Sequence, residues 1–125
     1  MKGPIAYALG SPNRVAKATS SVDWTAPHSW DFSPIDGNKY PALGLARRAG
    51  ELGGGVPAVF NAANEVAVEA FIKEELGFTS IVEIVEQTLA KLAHYSTSQL
   101  RDISDVTAIE DDARTVARSL ILEHR

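Results

Sequence analysis

From residue 56 onward, apolar residues recur at the three- and four-residue spacing of helices that bury one stripe. Val56, Val59, Phe60, Ala63, Ala67, Ala70 and Phe71 make one such run, with Gly77 placed to stop it. Ile81, Ile84, Val85, Thr88, Leu89 and Leu92 make a second, behind Thr79, a residue type suited to capping. Val106, Ile109, Ala113, Val116, Ala117, Leu120 and Ile121 make a third, with Ser104 or Asp105 as its cap. A shorter stripe of Tyr40, Leu43, Ala46 and Ala49 predicts a helix between Pro41 and Gly50. Helices with a single apolar stripe are not stable alone in water, so these must pack on one another. The simplest arrangement is a small bundle of about four helices with short connections.

The chain changes character near residue 40. Before it, Pro4, Pro12, Pro27 and Pro34 interrupt the pattern, and Thr19-Ser20-Ser21 adds a polar cluster. Pro4 suits a helix's first turn, which predicts a short helix over Ile5 to Leu9 that stops before Pro12. Ser29 to Ser33 alternates polar and apolar residues and suits one short strand. So long a connector is unusual inside a compact domain and implies an arm that wraps over something. The expected fold is mainly α: a helical bundle over residues 40–125, preceded by an extended arm over residues 1–39.

Composition agrees with a globular protein: 45% hydrophobic and 22% charged residues. Apolar runs are too short for a membrane-spanning helix, and the N-terminal stretch lacks the pattern of a secretory signal. There is no cysteine, so disulfide and thiolate chemistry are excluded and the cytoplasm is the expected compartment. Twelve Lys+Arg against 16 Asp+Glu give a net charge of −4, which disfavours nucleic acid as a partner.

Candidate chemistry is sparse. His28, His94 and His124 are far apart in sequence and lack metal-ligand spacing. Gly53-Gly54-Gly55 follows a helix rather than a strand and lacks a Gly-Lys-Ser/Thr continuation, so it reads as a flexible turn. In Glu110-Asp111-Asp112, Glu110 faces Arg114 one helical turn on, which is a solvated ion pair rather than an acid/base dyad. Trp24, Trp30 and Phe32 suit anchoring of the arm better than stacking on a ligand. Asn61-Ala62-Ala63-Asn64-Glu65 is unusual, because two asparagines inside a helix lower its propensity. They share one face beside small alanines, which suits amides bonding to a backbone packed across the helix; a ligand site is the competing reading. No catalytic or metal-binding residue is assigned.

The order of several motifs resembles the 1-deoxy-D-xylulose 5-phosphate reductoisomerase family over essentially the whole chain. These are Met1-Lys2-Gly3-Pro4-Ile5-Ala6, Pro12-Asn13-Arg14-Val15, Tyr40-Pro41, Asn61-Ala62-Ala63-Asn64-Glu65, Phe78-Thr79 and Asp112-Ala113-Arg114. The resemblance implies that residues 1–39 are the end of a catalytic domain and a linker, and that residues 40–125 are a C-terminal helical domain. It implies an NADPH- and divalent-metal-dependent conversion of 1-deoxy-D-xylulose 5-phosphate to 2-C-methyl-D-erythritol 4-phosphate. The metal ligands, phosphate cradle, lid and dinucleotide fold of that family precede the matched region. This chain alone is therefore expected to bind no cofactor and to be inactive, with the upstream domains as its partner and self-association through the arm as a further expectation. Only Met1 carries over a site role, at the edge of the substrate and nicotinamide pocket. Asn61, Asn64 and Glu65 carry over as a structural motif. Ser11 stands where the family commonly has tryptophan. A helical interaction module without enzyme activity is the alternative.

Overall fold

A computed structural model describes residues 2–124. The chain divides into two compact units, Met1–Pro34 and Ile35–Arg125.

The first unit holds one helix, α1 (Lys2–Gly10), with no buried residue. It extends the helix expected over Ile5 to Leu9 by a few residues at its start. Arg14 lies 5.2 Å from the centre of the Tyr7 ring. Beyond it, Thr25 donates its backbone N–H and its hydroxyl to Asp23 Oδ1. The strand expected at residues 29–33 is absent, and no strand occurs among the described residues. Alternation alone does not make a strand, because its backbone groups need a neighbouring strand to bond.

The second unit is the helical bundle: α2 (Ala42–Leu52), α3 (Val56–Ile72), α4 (Ser80–Lys91), a 3-10 turn (Ala93–Thr97) and α5 (Ile103–Glu123). Helix α3 lies at its centre, and α5 is its most extensive neighbour. Val59, Ala62, Ala63 and Ala67 of α3 are fully buried, as are Ile84 of α4 and Ala113 and Ala117 of α5. Burying a side chain the size of Ile84 contributes about 1.5–3 kcal/mol. Thr88 is the one buried polar residue among those described, and its hydroxyl donates to the Ile84 carbonyl at 2.7 Å.

The expected stripes of α4 and α5 form the core, whereas that of α2 is shifted. Leu45 and Ala49, one turn apart, are buried; Leu43 and Ala46 face solvent. Helix α3 does not run to Gly77. It ends at Ile72, and Glu74 takes the left-handed conformation at φ 61°. There Glu74 N–H donates to Phe71 O at 3.0 Å and Glu75 N–H to Ala70 O at 2.9 Å, the paired bonds that close a helix end. Thr79 precedes α4, but its side chain makes no capping bond. Helix α5 is capped by Asp102 rather than Ser104 or Asp105: its carboxylate accepts from both of their backbone N–H groups.

Candidate functional site

The asparagine motif lies midway along α3, where burial of the helix's apolar residues offsets its unfavourable propensity. Asn61 is exposed, and its amide donates to Glu65 Oε1 of the same helix at 3.1 Å. The Glu65 carboxylate is also joined across the bundle: Arg114 Nη2 of α5 approaches Glu65 Oε2 at 3.3 Å and Glu110 Oε2 at 3.0 Å. Arg114 Nη1 reaches Asp111 Oδ1 at 3.4 Å. These acids hold the guanidinium above its ordinary pKa, Glu110 first and Glu65 after it. Helical spacing brings Arg114 near Glu110 and Asp111; the bond to Glu65 spans 49 residues and becomes visible only when α3 and α5 pack. Asn64 is half-buried and lines a small cleft with Ala42, Leu45, Phe60 and Ile81.

A second polar link joins the 3-10 turn to α5. Tyr95 of the 3-10 turn donates its hydroxyl to Asp112 of α5, which holds that hydroxyl above the ordinary tyrosine pKa, with desolvation adding to the shift. The same turn explains the glycine run. Gly55 N–H donates to Tyr95 O at 2.9 Å. Gly53 and Gly54 adopt φ 67° and 54°, and a Cβ on Gly54 would lie 2.5 Å from Tyr95 O. The run is therefore a close-packed turn rather than merely a flexible one.

At the start of α5, Arg101 grips Asp105 through two nitrogens at 3.0 and 2.9 Å, and its backbone N–H adds a third bond. The side-chain bond from Arg101 leads in drawing the Asp105 carboxyl down to about 2.

The histidines occupy separate surroundings. His28 lies with Trp24 and Trp30 in a cluster of rings 6.1 to 6.4 Å apart, where both tryptophans are mainly exposed. His94 stacks on Tyr95 with ring centres 4.3 Å apart, and His124 Nε2 lies 3.1 Å from Ser80 Oγ. Among the described residues, no three His, Asp or Glu side chains come together as metal ligands, so the residues present do not fit a divalent cation. No described helix is long and apolar enough to cross a membrane. Met1, assigned to a substrate and nicotinamide pocket, lies outside the described residues.

The Glu65–Arg114 and Tyr95–Asp112 links thus join separate elements of the bundle, and the second unit is an all-α domain. The chain belongs to the DXP reductoisomerase C-terminal domain family, whose model matches residues 1–116. It is 43% identical over 123 residues to the 1-deoxy-D-xylulose 5-phosphate reductoisomerase of Streptomyces avermitilis, covering 98% of this chain and 31% of that protein. The enzyme of Rhodospirillum centenum is 43% identical over 125 residues, covering all of this chain and 30% of its own length. Among solved structures, the Zymomonas mobilis reductoisomerase in complex with NADPH aligns with TM-score 0.74 at 40% identity, over 95% of this chain and 31% of that one. A reductoisomerase complex with NADPH, fosmidomycin and magnesium aligns with TM-score 0.76 at 32% identity, over 96% and 31% of the two chains. This chain therefore spans about 30% of the length of these relatives.

Proposed function

We propose that this chain serves as the C-terminal part of an NADPH- and divalent-metal-dependent reductoisomerase acting on 1-deoxy-D-xylulose 5-phosphate. The observation that carries this reading is the family match over residues 1–116, joined by 43% identity over 123 residues to the Streptomyces avermitilis enzyme. In it, residues 1–39 are the end of the catalytic domain and the linker, and residues 40–125 are the helical domain. Met1 belongs at the edge of the substrate and nicotinamide pocket. The partner is the upstream part of the same enzyme, with a second copy joined through the arm as an additional contact, and the compartment is the cytoplasm. NADPH and the cation would be held upstream, where NADPH would supply the hydride. Asn61, Asn64 and Glu65 are structural: Glu65 joins α3 to α5 through Arg114, and carboxamides can pair with a crossing backbone.

A relative truncated before the matched region supplies the test. Joined to that truncated enzyme, this chain should restore substrate-dependent NADPH oxidation with magnesium present; the chain alone should show none. A joined protein that folds but stays inactive would overturn the reading in favour of a helical interaction module. Oxidation by the chain alone, tracking its purification, would overturn it equally.

A further inference from the structure

The faces that the bundle turns to solvent are not alike. Helix α2 presents Arg47, Arg48 and Glu51; α4 presents Glu83, Glu86 and Gln87; α5 presents Asp111, Asp112 and Arg118. Helix α3 differs. Its 17 residues hold two charges, Glu65 and Glu69, and both are engaged, by Arg114 and by Lys73. At about 100° per residue, Asn61, half-buried Asn64, Phe71 and Ile72 fall within an arc of roughly 100° that contains no charged residue; Val68 lies in the same arc but packs against the core. Ile72 is 73% exposed, and Phe71 is also exposed. Phe78, 72% exposed, extends this surface, with its ring 5.7 Å from that of Phe71. Depletion of charge with enrichment in aromatic residues is the composition of an interface core.

We infer that this face of α3 and Phe78 form the docking surface for the upstream polypeptide of the enzyme, an inference that rests on the function proposed above. The size of the patch selects this occupant. Five side chains fall well short of the roughly 20–30 residues a side that hold two free proteins together. They suffice for a partner on the same chain, because covalent linkage raises the effective concentration of that partner to about the millimolar range. The relatives supply such a partner, since the region matched here is about 30% of their length. The two carboxamides suit it as well. Each offers donors and an acceptor to a backbone laid across the face, amid side chains that offer neither.

Thiol labelling tests the inference, because the chain contains no cysteine. Ile72→Cys is placed on the face, and Ala46→Cys on the exposed side of α2 serves as control. Both are made in this chain and in the active joined enzyme, and labelling of each position is followed by peptide mass spectrometry. Joining should slow labelling at position 72 by at least about tenfold and leave position 46 unchanged. Equal rates at position 72 in an enzyme that turns over would overturn the docking surface while leaving the function standing. An inactive joined enzyme would instead overturn the function on which the inference rests. Slow labelling in this chain alone that deepens with protein concentration would give the face to a second copy and overturn the assignment. In the active joined enzyme, Ile72→Glu should lower Tm more than it does in this chain; an equal loss in both would also count against docking.

Discussion

Arg114 of α5 and Glu65 of α3 are 49 residues apart in sequence and 3.3 Å apart in the fold, and the same guanidinium nitrogen holds Glu110 at 3.0 Å. This bond converts the asparagine motif from a local oddity of α3 into a tie between the two helices that share most of the core. Its contribution is electrostatic and open to solvent, so it is modest and weakened by salt. Arg114→Met and Glu65→Gln should each lower Tm slightly in low salt. Together they should lower it by less than the sum of the two, and the coupling should shrink at about 1 M salt. Additive losses at every salt concentration would show that the pair does not couple.

The glycine turn yields a sharper contrast. Gly54→Ala must place a Cβ 2.5 Å from Tyr95 O and 2.7 Å from Ser96 O, on a residue already at positive φ. That should cost on the order of 2 kcal/mol. At Gly44, inside α2, a Cβ would meet nothing within 4 Å, so Gly44→Ala should stabilise by about 0.5–1 kcal/mol. Urea unfolding of the two variants checks both signs.

Glu74 closes α3 in a left-handed conformation that costs an L-residue other than glycine roughly 1–2 kcal/mol. Both hydrogen bonds of that helix end are made by backbone groups, so they do not require the glutamate side chain. Glu74→Gly should therefore raise stability by about 0.5–1 kcal/mol, after the greater freedom of glycine in the unfolded chain is deducted. A loss of stability in urea would show that the side chain contributes more than the strain removes.

These elements show how far the sequence could be read. The stripes of α4 and α5 were legible because their period is long and strongly apolar. Helix α2 offered both Leu43 and Leu45 within 11 residues, and only its contact with the bundle decides which leucine is buried. Asp102, Ser104 and Asp105 are all capping residue types, and their backbone conformations decide among them. Gly77 was the natural choice to end α3, but the helix closed earlier, with the strain placed on Glu74. For the candidate site, the unusual helix motif and the Glu110–Arg114 pair were visible in one dimension. Glu65–Arg114 and Tyr95–Asp112 were not, because each joins elements whose relative placement comes from the whole core.

Asp105 gives the chain a defined response to acid. Its carboxyl is drawn down to about 2, first by the side chain of Arg101 and then by the Arg101 backbone N–H. The folded pKa lies below the unfolded one, so this stabilisation is present above about pH 4 and lost as pH falls toward 2. The Asp102 cap, also lowered by its bonds to Ser104 and Asp105, responds in the same direction. Asp105→Asn should lower Tm at about pH 6 and make the decline between about pH 4 and pH 2 shallower, as followed by circular dichroism. An unchanged slope with a uniform loss would assign the effect to packing instead.

Asn64 separates the requirements of this chain from those of the joined enzyme. It is half-buried beside Ala42, Leu45, Phe60 and Ile81, a mainly apolar setting. In this chain Asn64→Leu removes a weak helix former and adds apolar surface, so Tm should stay level or rise slightly. In the joined enzyme the amide would face the docked backbone, and its loss would leave buried groups unpaired at a cost of about 1–3 kcal/mol. Thermal unfolding should therefore show a loss of stability confined to the joined form. If Asn64 has the structural role proposed above, the Michaelis constant of correctly folded joined enzyme should change little. Unchanged stability with a large rise in that constant would instead give Asn64 a place at the ligand.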